Sequence, residues 1–129
     1  MPSPVPARFH LVDDPLFMQH RSRGYHPERP ERLAAARRAV ERVVAEGMIA
    51  LPLPPRDATP AELARVHDPV YLAEIARMEG HHAALDADTY LCPVSVPAAR
   101  RAAGGVIALV DALLDPDPSA ARTGVALLR

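Results

Sequence analysis

The 129-residue sequence lacks features that several classes of protein need. It contains no lysine, no tryptophan and a single cysteine, and its 15 arginines are nearly balanced by 16 acidic residues. The resulting net charge of −1 argues against nucleic acid or an anionic membrane as the main partner, because both attract a clustered positive charge. The longest apolar run, Val106–Val110, is far too short to span a bilayer.

Cys92 is the only cysteine, and it therefore cannot form a disulfide within the chain. No spacing of Cys and His suggests a zinc finger, and the first ten residues lack the apolar core of a signal peptide. We therefore expect a soluble, globular protein in the reducing cytoplasm. The sequence gives no indication of its oligomeric state.

Hydrophobic periodicity predicts a mostly helical α/β chain. The only strand candidates are 8–12 and 123–128, and helices are predicted at 30–46, at 97–114 and, more briefly, from Pro60 and Pro69. Because helices separate the two strands, we expect them to pair in parallel. Residues 1–7 carry three prolines and read as a loose lead-in to one domain over 8–129, while 52–55 and 80–93 are predicted to be connecting loops.

The helix predicted at 97–114 is apolar on nearly every side, so we expect more than one neighbour to cover it. Its main apolar face is predicted to hold Ala99, Ala102, Ala103, Val106, Val110 and Leu113. Gly104 and Gly105 each cost about 1 kcal/mol of helix propensity, and we expect them to permit close approach of a sheet or another helix. Since two short parallel strands rarely stand alone, we also expect further chain to complete the sheet after Arg129.

The residues of the loop at 80–93 suggest one metal site. His81, His82, Asp86 and Asp88 offer ligands that suit zinc. However, adjacent residues in an extended loop point to opposite sides, and a solvated loop is therefore the favoured interpretation. Cys92 lacks the context of a nucleophile and is predicted to be a packing residue.

Four segments, in this order, resemble the N-terminal part of the zinc-dependent deacetylases. They are HPERPERL at 26–33, ELARVHDPVYL at 62–72, LDADTYLCP at 85–93 and AARRAAGGVIALVDALL at 98–114. The group includes histone deacetylases, acetylpolyamine amidohydrolases and acetoin-utilisation proteins, and the DxDTY block is similar to bacterial enzymes of class II type. The resemblance implies an arginase/deacetylase-like three-layer α/β fold with a parallel sheet, present here as its N-terminal, mostly helical portion.

The resemblance also implies roles for four residues. In the family, the aspartate at the position of Asp88 lies on the active-site rim and accepts hydrogen bonds from the backbone amides of the substrate. Arg32 matches an arginine that lines an internal channel, through which product acetate is thought to leave. His26 and Glu28 belong to the first active-site loop, where we expect them to shape the site.

The catalytic groups of the family are expected outside this chain. Members continue after the last strand into a Pro-Pro-Gly-His-His segment, and then supply an Asp-x-His and a second Asp for zinc and a tyrosine that polarises the acetyl carbonyl. The sequence stops at Arg129, before the position of these residues. We therefore predict no catalytic residue and no metal ligand in this chain, and no zinc bound by it alone.

Two hypotheses follow from the resemblance. The first is the N-terminal fragment of a zinc enzyme that hydrolyses acetyl-lysine peptides or small acetylpolyamines and releases acetate, the fragment itself being inactive. The alternative is a non-catalytic binding or adaptor half-domain, a pseudo-enzyme. Such a module would bind a partner through the open edge of its sheet.

Overall fold

The computed structural model describes residues 6–117 and 119–129 and contains a parallel sheet with helices packed on it. Its elements are β1 (Arg8–Asp13), α1 (Pro30–Ala45), β2 (Ile49–Pro52), α2 (Pro60–Leu63), α3 (Pro69–Arg77), β3 (Ala83–Ala84), β4 (Tyr90–Leu91), α4 (Ser95–Leu113) and β5 (Gly124–Leu127). A single 3₁₀ turn, Pro15–Met18, follows β1. Most of the predicted lead-in at 1–7 lies outside the described residues.

The main sheet has the strand order β2-β1-β5, and both pairs of strands run parallel. His10 of β1 is in register with Gly124 of β5, which confirms the predicted parallel pairing of the first and last strands. The expectation of only two strands is wrong, because Ile49–Pro52 pairs with the other side of β1. A proline is tolerated at the end of an edge strand, so Pro52 does not prevent this pairing.

The sheet lies between α1 and α4. Arg37 of α1 donates two hydrogen bonds to the carboxylate of Asp13, at 2.8 and 2.7 Å. The neighbouring residue in β1, Val12, faces α4, where a Cβ built on Gly105 would lie 2.9 Å from Val12 Cγ1. Because successive side chains of a strand point to opposite faces, α1 and α4 cover opposite faces of the sheet. This arrangement gives the three layers that the resemblance implied.

The two glycines of α4 set which side of the helix is buried. A Cβ on Gly104 would overlap the backbone between Arg56 and Ala58, so at this glycine the helix approaches a connecting segment and not the predicted sheet or helix. Gly105 does lie against the sheet, at Val12, as predicted. The predicted apolar face is not the buried one, since Val106 is 40% and Val110 is 46% exposed. Helix α4 approaches its neighbours most closely at its two glycines, which have no side chains. The glycine side of the helix is therefore the buried side.

A buried hydrophobic cluster lies beside the carboxyl ends of β1 and β5 and holds the start of the segment 18–29 in place. Phe17 in the 3₁₀ turn is fully buried and packs with Leu33 of α1, Ala98 of α4 and Leu127 of β5. Burial of a side chain of this size contributes about 1.5 to 3 kcal/mol. The cluster therefore anchors the start of the segment 18–29, which has no regular secondary structure after Met18.

Several local structures form as predicted. Helix α1 ends with Gly47 at a φ of +105°, and the backbone N–H of Met48 donates to the carbonyl of Val43, which closes a Schellman motif. Thr59 and Glu62 form a capping box at the start of α2. The segment 80–93 is not wholly a loop, because β3 and β4 pair antiparallel within it. None of the helices in the described ranges is both long and apolar enough to cross a bilayer.

Candidate functional site

The segments that follow β1 and β5 meet the β3–β4 hairpin beyond the carboxyl ends of the strands. Arg129 follows β5 closely, and its side chain contacts the segment 18–29 as well as Tyr90 of the hairpin. In open parallel sheets this edge is where ligands usually bind. We call the residues that meet here the rim cluster: His20, His26, Glu28, Asp88, Tyr90 and Arg129.

The centre of the rim cluster is the guanidinium of Arg129, whose side chain is only 2% exposed. Its Nε donates to Glu28 Oε2 at 2.6 Å, and its Nη2 donates to the hydroxyl of Tyr90 at 2.8 Å. Nη1 donates to the backbone carbonyl of His20. A buried cation is costly unless it is paired and hydrogen-bonded, and Arg129 meets both conditions.

His26 joins the segment 18–29, which we call the first loop, to the loop that carries Asp88. The backbone N–H of Glu28 donates to His26 Nδ1 at 3.0 Å, so the neutral ring carries its proton on Nε2. Nε2 then donates to the backbone carbonyl of Asp88 at 3.1 Å. The ring also packs edge-on against Tyr90, with the centroids 4.8 Å apart. The structure thus brings the predicted loop residues His26 and Glu28 beside Asp88.

The loop between β3 and β4 presents the Asp88 carboxylate to solvent. The backbone N–H of Asp88 donates to Asp86 Oδ1 at 2.8 Å, and that bond, with help from the Thr89 hydroxyl, lowers the pKa of Asp86. Asp86 therefore stays ionised and holds the turn. The carboxylate of Asp88 itself is exposed and makes no hydrogen bond to the part of the chain that the structure describes. The carboxylate is available to accept hydrogen bonds from a ligand.

Arg32 lies apart from the centre of the cluster. Its side chain is 66% exposed, and its nearest acidic partner is Glu28, with Nη1 3.8 Å from Oε1. It borders a shallow cavity of about 220 Å³ that Leu33, Ala126 and Arg129 also line. The role of Arg32 in a product channel stays a prediction.

His20 and Tyr90 form a stacked pair beneath the exposed rim. Their ring centroids lie 4.6 Å apart with an angle of 7° between the planes, and His20 Nδ1 is 2.7 Å from Ser95 Oγ. Burial is the main cause that lowers the pKa of His20, and the Arg129 cation lowers it further. Burial also raises the pKa of Tyr90. Both side chains are therefore uncharged near neutral pH.

Sequence reasoning assigned no role to three members of the cluster: His20, Tyr90 and Arg129. Tyr90 stands within the quoted LDADTYLCP segment, but no spacing predicts its contact with Arg129. The available signal for Arg129 is its position directly after a buried strand, where parallel sheets place ligand sites.

The metal site considered for the loop at 80–93 does not form. In the ranges 6–117 and 119–129, no three His, Cys, Asp or Glu side chains lie together so that they could hold a metal ion. The donors present in these ranges therefore do not fit a zinc ion. Cys92 is 5% exposed and packs in the interior, as predicted.

Comparison with known proteins identifies the fold. Residues 26–128 match the model of the histone deacetylase domain. The crystal structure of the HDA15 HD domain is similar, with a TM-score of 0.80 and 26% sequence identity over 93% of this chain and 36% of that one. This chain therefore spans about a third of the HDA15 domain structure, and no curated protein matches it. The similarity of sequence and fold shows that the chain belongs to the histone deacetylase family.

Proposed function

We propose that the rim cluster forms the substrate-binding entrance of a deacetylase that hydrolyses acetyl–amine amides and releases acetate. The observation that carries this proposal is the exposed carboxylate of Asp88, which lies without a partner in the described chain on a loop held by Asp86 and His26. Substrates would be acetyl-lysine in a peptide or a small acetylpolyamine. The match to the histone deacetylase domain supports this chemistry.

The geometry suits a carboxylate that grips amide groups. An ionised carboxylate accepts hydrogen bonds from N–H donors that are shorter and stronger than bonds between neutral groups. Because the Asp88 main chain is fixed by His26 and Asp86, the loop needs little ordering when a peptide binds. Asp88 would thereby orient the acetylated side chain of a peptide toward the reacting groups.

In this proposal zinc supplies the activated water in the complete enzyme. The residues described here do not supply its three ligands. We therefore expect the 129-residue chain alone to give no turnover of an acetyl-lysine peptide when zinc is added, and measurable turnover would contradict the assignment. The cytoplasmic location and the bacterial class II type stay predictions.

The role of Asp88 can be tested in the full-length protein with Asp88→Asn. Loss of the charged acceptor should raise KM for an acetyl-lysine peptide about tenfold or more, because hydrogen bonds to charged groups contribute about 1.5 to 3 kcal/mol. The matched control is Asp111→Asn, which removes an exposed aspartate from α4. Steady-state kinetics give KM for the original protein and for the two variants.

Two results would contradict parts of the proposal. An unchanged KM in Asp88→Asn would remove Asp88 from the substrate site. Peptide binding by the zinc-loaded full-length protein without any turnover would favour the alternative, a non-catalytic binding module. If Asp88→Asn raises KM for the peptide but not for an acetylpolyamine, Asp88 binds the backbone amides of the peptide.

A further inference from the structure

We infer that Arg129 is a positioning residue that holds the first loop and the Asp88 hairpin together as one rigid rim. For its effect on catalysis this inference rests on the proposed function, because it concerns how Asp88 is held. Arg129 itself lies beneath the surface and is not offered as a catalytic residue.

The hydrogen bonds of Arg129 reach three residues in two separate segments of the chain. Four of its five N–H groups have acceptors: Glu28 Oε2, the carbonyl of Glu28, the carbonyl of His20 and the hydroxyl of Tyr90. His20 and Glu28 belong to the first loop, whereas Tyr90 is in β4. A single planar group at the end of β5 therefore joins two segments that have no covalent connection nearby.

Tyr90 carries this link to the hairpin. Its hydroxyl accepts from Arg129 Nη2 at 2.8 Å and is 3.2 Å from the carbonyl of Glu28, to which it donates. Its ring lies between those of His20 and His26, stacked on the first and edge-on to the second. Asp88 stands two residues before Tyr90, and His26 holds its carbonyl at 3.1 Å.

The planar shape of arginine is essential to this arrangement. A lysine ammonium is a compact charge with three donors on one nitrogen, so it cannot reach acceptors spread around a flat fork. Arg129→Lys should therefore keep the charge near Glu28 but lose part of the link to Tyr90. Arg129→Met keeps most of the side-chain volume and removes every donor, which leaves Glu28 without its closest cation.

Amide hydrogen exchange in the full-length protein tests the inference without reference to activity. In Arg129→Met, peptides that cover residues 18–29 and 83–91 should exchange about tenfold faster, while peptides from α1 and β2 keep their rates. Arg129→Lys should give a smaller increase in the same two segments. The control is Arg122→Met, because Arg122 also donates to backbone carbonyls, but to those of Leu113, Asp115 and Asp117, at and just after the end of α4.

Unchanged exchange in both segments would overturn the inference, and faster exchange throughout the protein would show that Arg129 only stabilises the fold. If Arg129→Met does not fold, Tyr90→Phe provides the test, because it removes one hydroxyl and keeps the stacked ring. It should increase exchange at 83–91, and an unchanged rate there would also overturn the inference.

Kinetics then separate this inference from the proposed function. Arg129→Lys should raise KM for an acetyl-lysine peptide about threefold to tenfold with kcat nearly unchanged, because only the grip on the peptide backbone is loosened. An increase in exchange without this KM effect would confirm the positioning role and contradict the proposed role of the rim. A kcat loss with normal KM and normal exchange would contradict the positioning role.

Discussion

The rim cluster and the contact between α4 and the sheet are held by different forces. At α4, apolar atoms and backbone approach closely, with Gly105 against Val12 and Phe17 buried nearby. In the rim cluster, hydrogen bonds from Arg129 and His26 connect loops that have little regular structure. The comparison indicates that close packing of apolar side chains and backbone stabilises the fold. The shape of the site depends instead on charged groups and on the directions of their hydrogen bonds.

The largest effect is expected from Phe17→Ala, which tests the apolar side of this comparison. Phe17 is fully buried, and its truncation should lower the free energy of unfolding by about 3 to 5 kcal/mol through lost burial and a remaining cavity. Urea unfolding measures the change. Tyr25→Ala is the control, because Tyr25 is 86% exposed and should change the free energy by less than about 0.5 kcal/mol. A loss below 1 kcal/mol in Phe17→Ala would contradict the described core.

Gly104→Ala should lower the free energy of unfolding by a smaller amount. The added methyl group meets the backbone from Arg56 to Ala58, which cannot rotate away as a side chain can. We expect a net loss of about 1 to 3 kcal/mol in urea unfolding, despite the gain of about 1 kcal/mol in helix propensity. Gly24→Ala is the matched control, since a Cβ there has no neighbour within 4 Å. Equal stability of the two variants would show that α4 lies farther from this segment.

The smallest effect concerns the response of the rim cluster to acid. Burial and Arg129 lower the pKa of His20 in the folded state. As the pH falls, His20 is therefore protonated at a higher pH in the unfolded chain than in the folded protein. The contribution of His20 is complete above the unfolded pKa of about 6.5 and is lost as the pH falls through the lower folded value. The variant His20→Phe should lose less stability than the original protein between pH 7 and pH 5.

Urea unfolding at several pH values measures this difference. Phe17→Ala serves as the control, because it should lower stability by the same amount at each pH and leave the slope unchanged. Equal slopes for His20→Phe and the original protein would mean that burial of His20 does not resist its protonation.

Local signals in the sequence predicted much of the fold. Gly47 and the Thr59 capping box act through neighbours within a few residues, and both form as expected. Strand β2 was not predicted, because a four-residue strand that ends in Pro52 has too little pattern to distinguish it from a connector. The hairpin β3–β4 was missed for the same reason, since only two residues of each strand pair.

The candidate site was predicted only where the sequence resembles a known family. Asp88, His26 and Glu28 stand in recognisable segments, and the structure brings them together. Arg129 could not be predicted in this way, because its partners His20 and Glu28 are 109 and 101 residues away. Contacts at such distances depend on the complete topology rather than on local pattern.

The position of β1 in the middle of the sheet has a consequence for synthesis on the ribosome. β1 is made first, yet its partner β5 is made more than a hundred residues later, as is the arginine that contacts His20. At about 5 to 20 residues per second, roughly 5 to 20 seconds pass before this edge of β1 can be paired. During that interval the nascent chain exposes the unpaired backbone N–H and C=O groups of this strand edge, so it is then that a chaperone would protect it most from aggregation.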